Sequence, residues 1–375
     1  MQGRRTPANL IMTMRRASEP GRKPRILELG YFCLFKRVWP ERVTLVWGGK
    51  GTEDVPVPVD AMASLSAFRR IGRDLAAGAY DLIVCFPPAL PPWREARTRK
   101  ALARRLFFHA LLRHPLLFKK TPLVVLDVGD RTPFARHNHH LLRRAAWVFK
   151  RELPIAREEL LLGTNPGFHS REAVLRSRLY AALEPKLYPT SLGLPAERWA
   201  DVPARPLEKT ADVFFAGKMD SEVRRRGLAE LDELARSGIK VDMPPERLPR
   251  KEFYERCARA WLVWSPEGFG WDCFRHYEAA ACRSVPVMNR PRITWHRPLE
   301  EGVHCFFYDP SCGGLSSVIR AALADKERLR GMGEAGREHV LKNHTHEAIC
   351  TYILSRTIQR NDRGEDHHRG PDESL

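Results

Sequence analysis

The chain has no apolar run approaching the roughly 20 residues that cross a bilayer, so nothing in it reads as a membrane span. Its first apolar patch, Leu10, Ile11 and Met12, is interrupted by Arg15 and Arg16 and falls far short of a signal-peptide core. Eight cysteines are present, but no two form a C-x-x-C pair and none stand at zinc-ribbon spacing. A chain of 375 residues also has no need of disulfide staples. These absences predict reduced thiols in a soluble cytoplasmic protein, or in one held by charge at the inner face of a membrane. No nucleic-acid-binding motif occurs, and the basic residues are spread along the chain rather than clustered with aromatics. Both facts argue against nucleic acid as a partner.

What the chain does have is positive charge: 63 Lys and Arg against 45 Asp and Glu, a formal net charge of +18. Such an excess favours a polyanion, whether nucleic acid, anionic lipid or a phosphorylated substrate. Hydrophobic residues make up 43%, enough for sizeable cores, and the length predicts two of them. Strand and helix patterns alternate throughout. Strands are expected at 24–30, 42–47, 80–86, 121–129 and 146–152, with helices at 61–77, 94–113 and 136–144 between them. A mixed helical segment, 165–184, leads to five prolines between 185 and 206, read as the crossing between domains. The alternation restarts with strands at 211–217, 239–241, 261–264, 285–288 and 304–308, and with helices at 221–237, 250–260, 273–282, 315–324, 326–342 and 346–357. The expected layout is a basic disordered lead-in (1–23), an α/β domain (24–190), a linker (191–210), a second α/β domain (211–345), a terminal helix (346–360) and a disordered tail (361–375). Two Rossmann-like domains, each opening on a strand that ends in glycine, would face a cleft. In open parallel sheets ligands bind beyond the carboxyl ends of the strands.

The most informative stretch is 261–291, WLVWSPEGFGWDCFRHYEAAACRSVPVMNRP. It reads as strand, glycine loop, helix, strand. A glycine loop entering a helix offers backbone N–H groups and the positive end of the dipole to a phosphate. Arg275 and Glu278, three residues apart, share a helix face. An arginine for a diphosphate and a glutamate for ribose hydroxyls suit a sugar nucleotide, and a buried βαβ corner with a surface Arg–Glu pair fits the same spacing. Asp127 and Asp130 flank the end of the strongest strand of the first half. Asp130 is therefore a candidate base, although a turn aspartate there can equally be a cap. His137 and His140 share a helix face, but no third ligand at suitable spacing follows, so a polar basic surface is expected in place of a metal site.

Taken together, 211–217 with Arg224, Arg225 and Arg226, the loop 265–270, the run 275–279, 285–287, 298–308, 329–332, Gly336 with Arg337, and His344 with Thr345 resemble the nucleotide-sugar-binding domain of GT-B-fold glycosyltransferases, group 1 and exostosin-like. The resemblance spans about 211–355; the first half is similar in architecture alone. It implies that the loop with Gly268 and Gly270 closes over the nucleotide, and that Glu278 binds the donor ribose. It also implies that Arg275 meets the diphosphate, that Gly217 allows close approach to phosphate, and that Arg224 and Lys218 add charge. Ten residues separate Glu267 from Glu278, a longer spacing than in the paired glutamates of retaining members. A catalytic role for Glu267 and retaining stereochemistry are thus left open. The Asp-x-Asp motif of the other glycosyltransferase fold is absent, so no metal cofactor is implied. The function implied is transfer of a sugar from a nucleotide-sugar donor to a glycan or lipid-linked acceptor, as in bacterial cell-surface polysaccharide or glycoconjugate synthesis. The basic segment 94–113 would be available to anionic lipid. The alternatives are a basic nucleic-acid-binding protein, and an epimerase or scaffold on the same fold.

Overall fold

The computed structural model describes residues 24–48, 57–62, 64–88, 98–113, 121–161, 178–218, 221–311 and 313–358. The expected disordered ends, most of the segment 165–184, and Arg94 and Arg97 of the basic helix lie outside them. The chain divides into two compact units, Met1–Cys85 with Pro92–Val124 and Cys350–Leu375, and Phe86–Pro91 with Val125–Ile349.

The strands form two sheets flanked by helices. The first has seven strands: β1 (Ile26–Gly30), β2 (Val43–Trp47), β3 (Ala61–Met62), β4 (Leu82–Cys85), β5 (Leu123–Asp127), β6 (Trp147–Lys150) and β7 (Leu187–Pro189). Their order is β3-β2-β1-β4-β5-β6-β7, and the pairings of β1 with β2 and β4, of β2 with β3, and of β6 with β7 are parallel. Strands β1 and β4 are apolar and buried along almost their whole length, as parallel strands covered on both faces must be. The exception is Glu28, buried in β1, whose carboxylate accepts the N–H groups of Leu34, Phe35 and Lys36 at 2.8–3.0 Å. These start the short helix α1 (Phe35–Val38). Residues 61 and 62, expected at the start of a helix, instead extend the sheet beside Val46 and Trp47. Helix α2 (Leu65–Ala76) begins only after Ser64, whose hydroxyl accepts the Ala67 N–H. The basic helix is α3 (Arg99–Arg113), and the expected helix at 136–144 is a 3-10 turn followed by α4 (His139–Arg144). Helix α5 (Arg178–Leu183) precedes β7. Pro189, which cannot donate to a ladder, ends β7 at the sheet edge.

The second sheet has five strands: β8 (Ala211–Phe214), β9 (Val241–Asp242), β10 (Ala260–Trp264), β11 (Val285–Asn289) and β12 (Phe306–Tyr308). Their order is β12-β11-β10-β8-β9, every pairing parallel. Around them lie α6 (Ala196–Trp199), α7 (Glu222–Arg236), α8 (Arg250–Arg259), α9 (Phe274–Ala281), α10 (Gly314–Leu323) and α11 (Lys326–Asn343); α12 (His346–Arg356) follows, and from Cys350 on it belongs to the first unit. One core packs Phe214, Val263, Tyr254, Tyr277 and Trp295 together. The other packs Phe215, Trp264, Leu231 and Leu315. Trp264 is fully buried, and its indole N–H donates to the Tyr308 hydroxyl at 3.0 Å. The chain leaves β8 toward β9 on one side and returns to β10 on the other. The switch point of this sheet therefore lies between β8 and β10, where open α/β sheets hold their ligands.

Candidate functional site

A cavity of about 1190 Å³ opens at that switch point, within the second unit. The residues that follow β8, Phe215 to Lys218, form one wall. The N-cap and first two turns of α9 (Cys273, Phe274, Arg275 and Glu278) form another, and 243–248 with Arg198, Arg224, Leu228, Arg250 and Phe253 complete it.

Two guanidinium groups tie these walls together. Arg224 stands in the first turn of α7, a helix capped by Ser221, whose hydroxyl accepts the Arg224 N–H at 3.3 Å. Arg224 donates from Nη1 to the Lys218 carbonyl at 2.8 Å and from Nε to the Glu267 carbonyl at 3.1 Å. It thus joins the loop after β8 to the loop after β10. Arg275 donates from Nη2 to the Ala216 carbonyl at 2.8 Å and lies 5.1 Å over the Phe215 ring. Its Nε and Nη1 are buried without a protein acceptor. Burial, with the Arg224 charge behind it, pushes the Arg275 guanidinium below its usual pKa. A buried donor pair on a desolvated cation is a place where an anion would be stabilised.

Glu278, one turn further along α9, is held on the other side. Its Oε1 accepts the Tyr254 hydroxyl at 2.9 Å and the Arg198 guanidinium. Arg198 stacks 4.0 Å over Phe274. Burial and then the Glu278 charge raise Tyr254 above the ordinary phenol range, so the hydroxyl remains a donor.

Of the residues nominated from sequence, Gly217, Lys218, Arg224, Arg275 and Glu278 line the cavity. Glu267, Gly268, Gly270 and Asp130 lie outside its lining. The glycines make room for side chains: a Cβ on Gly217 would come within 2.5 Å of Arg275 Nη2, and one on Gly268 within 3.0 Å of Arg224 Nη2. On Gly270 it would stand 2.5 Å from Glu152 Oε1. The amides of the glycine loop are largely engaged within the protein. Glu267 N–H donates to Asn289 Oδ1 at 2.9 Å, Gly268 N–H to the Gly270 carbonyl at 3.0 Å, and Trp271 and Asp272 N–H to the Glu152 carboxylate at 3.0 and 2.9 Å. Positive charge therefore reaches the cavity from side chains: Arg275, Arg224 and Lys218, with Arg247 and the carboxylate-paired Arg198 and Arg250 also in its lining. The Glu267 carboxylate accepts from Asn289 Nδ2 at 3.1 Å. Asp130 is exposed and paired with the buried Arg151. Arg151 also approaches Glu152, with Nε 3.4 Å from Oε1.

Sequence reasoning missed Arg198, Phe215, Phe253 and the segment 243–248 as lining residues. It also missed Glu152, at the end of the expected strand 146–152, as the carboxylate that organises the loop. No short motif marks any of them, since they arrive from separate elements through the tertiary fold. Among the described residues, no group of three His, Cys, Asp or Glu is placed to hold a metal. His137 Nε2 lies 2.9 Å from the Pro88 carbonyl, and His140 Nδ1 lies 2.9 Å from the His137 carbonyl.

Residues 252–355, from α8 through most of α12, match the family model described as "Glycosyl transferase-like". Among solved structures, the chain is similar to a glycosyltransferase from Rickettsia africae ESF-5, at 11% identity and a TM-score of 0.56 over 90% of this chain and 99% of that one. It is also similar to Anabaena HepE, solved in complex with UDP and glucose, at 14% identity and a TM-score of 0.51 over 88% of this chain and 98% of that one. None of the curated proteins matches the sequence. The fold is a GT-B-like glycosyltransferase fold.

Proposed function

We propose that the protein is a glycosyltransferase that takes its sugar from a nucleotide-sugar donor bound in the cavity at the β8–β10 switch point. The observation that carries this reading is Arg275, whose buried Nε and Nη1 have no protein acceptor while its neighbours supply further positive charge and a carboxylate. In the proposed complex the diphosphate lies against Arg275, Arg224 and Lys218, with Gly217 leaving space beside it. Glu278, pre-oriented by Tyr254 and Arg198, accepts the ribose hydroxyls. Departure of a nucleoside diphosphate requires its developing charge to be stabilised, and paired guanidiniums supply that without a metal. That HepE was solved with UDP and glucose supports a uridine nucleotide as the first to try. The acceptor is a glycan or a lipid-linked saccharide. Asp130 is the proposed base; its pairing with Arg151 would have to open for it to accept a proton.

The test is calorimetry and thermal melting with nucleoside diphosphates and their sugars. A ligand at about 100 times its Kd should stabilise the protein by roughly 2.7 kcal/mol. Arg275→Ala removes a charge-assisted contact worth about 1.5–3 kcal/mol, so donor binding should weaken by roughly 10- to 150-fold in a protein that still melts cooperatively. If no nucleotide or nucleotide sugar at millimolar concentration shifts the melting temperature, the reading fails. Product analysis with the best binder then separates transfer from epimerisation.

A further inference from the structure

Among the described cysteines, Cys33, Cys85, Cys257, Cys282, Cys305 and Cys350 are buried, whereas Cys273 is only partly so and lines the cavity. It is the N-cap of α9, in extended conformation, and its side chain makes no capping hydrogen bond. The thiol thus stands at the positive end of a helix. One turn on, His276 Nε2 lies 3.5 Å from Cys273 Sγ and 2.8 Å from the Trp271 carbonyl. A carbonyl oxygen only accepts, so Nε2 carries a hydrogen, and that hydrogen also faces the sulfur. On the far side of the ring, Nδ1 lies 2.8 Å from Ser265 Oγ, which can accept a hydrogen bond from the Nδ1–H of an imidazolium. The ring is fixed further by Trp271, with centroids 4.8 Å apart.

We propose that Cys273 is a modification site: a thiolate in the cavity wall that peroxides oxidise to a sulfenic acid and soft electrophiles alkylate. The groups facing it agree with that chemistry. Burial alone would raise the thiol, but the charge and hydrogen bond of His276, and then Arg275, bring it down to about 7 against the opposing charge of Asp272. The thiolate in turn raises His276 above its ordinary value in spite of burial. In the oxidation, the sulfur attacks one peroxide oxygen, an S–O bond forms and the O–O bond breaks. The sulfur gives up two electrons, and the second oxygen leaves as hydroxide, which the His276 proton converts to water. Two equivalents of a small thiol reverse the step, giving the free cysteine, a disulfide of the reductant and water. The added oxygen would stand on the wall shared with Arg275 and Glu278. The consequence that modification shuts off donor binding rests on the proposed function above.

The experiment uses the full-length protein and iodoacetamide across about pH 5 to 9, with the labelled residue located by peptide mass spectrometry. Cys273 should label first among the described cysteines, and its rate should rise with a midpoint near 7. At pH 7 roughly half of it would be thiolate, against about 3% of an ordinary thiol with a pKa near 8.5. A midpoint near 8.5, or labelling that passes Cys273 by, overturns the proposal. Dilute hydrogen peroxide followed by dimedone should leave an adduct on Cys273 that Cys273→Ser lacks; no adduct on the folded protein overturns the oxidation step. Saturating nucleoside diphosphate should slow the labelling. If none binds the untreated protein, the donor reading fails while the labelling result stands. If one binds and gives no protection, the thiol does not face the bound ligand, and the regulatory consequence fails.

Discussion

Helix α11 carries three glycines, and the same substitution should act in opposite directions on two of them, Gly331 and Gly333. Gly331 is exposed, and a Cβ built there meets nothing within 4 Å. Gly333 is buried, and its Cβ would lie 2.6 Å from the carbonyl oxygen of Arg283 and 3.0 Å from its carbonyl carbon. Ordinary carbon–oxygen contacts are about 3.3–3.6 Å, so the overlap is roughly 0.7–1.0 Å. The obstructing atoms are backbone. Arg283 has a positive φ of 58° just beyond the end of α9, and its carbonyl also accepts from Lys209 Nζ at 2.9 Å. Neither can swing aside as a side-chain tip would. Gly331→Ala should therefore stabilise the protein by about 0.5–1 kcal/mol through helix propensity alone. Gly333→Ala gains the same propensity but incurs overpacking of about 1–3 kcal/mol. The propensity contribution cancels between the two variants, so their stabilities should differ by about 1–3 kcal/mol. Urea unfolding followed by tryptophan fluorescence, with m unchanged, measures that difference as a shift in midpoint. Equal stabilisation of both variants would refute the close approach of α11 to the α9 terminus.

Glu152→Ala leaves the Trp271 and Asp272 amides without their acceptor and should cost about 1–3 kcal/mol for each group that stays buried. Because Glu152 Oε1 is what a Gly270 Cβ would strike, Gly270→Ala should be costly in the wild type and much cheaper in the Glu152→Ala background, and additive losses in a double-mutant cycle would contradict this. Glu28 offers a pH test. Burial raises its pKa to about 7, against the pull of the Leu34, Lys36 and Phe35 amides and the Arg37 charge. A raised carboxyl favours the neutral form in the fold, so its contribution is complete below its ordinary value of 4.5 and is lost as pH rises through about 7. Melting temperature should fall over that window, and Glu28→Gln should remove this part of the slope; the same slope in both proteins would refute it.

Much of the fold was legible in the chain because buried parallel strands announce themselves as apolar runs closed by glycine or proline. The expected 261–264, 273–282 and 285–288 correspond to Ala260–Trp264, Phe274–Ala281 and Val285–Asn289. Errors fall where tertiary pairing overrides local pattern. Ala61 and Met62 are good helix residues drawn into a strand by the edge of β2, and β9 is only Val241–Asp242 because its pairing with Val213 and Phe214 is short. The same division holds for the site. Arg275 and Glu278 could be nominated because they sit three residues apart on one helix. Arg198, 80 residues from Glu278, could not, since nothing in local spacing reports a contact that only the folded chain makes.

The Glu152 carboxylate has a further consequence for the order in which the molecule is made. It satisfies Trp271 and Asp272 across sequence separations of 119 and 120 residues. Contacts so distant along the chain close a large loop and carry its entropy cost before they return anything. The entrance to α9 therefore acquires its final shape only once the end of β6 has docked. On a ribosome, the residue that completes this corner emerges long before the corner itself, and it must wait in a partly folded chain for the amides it will hold.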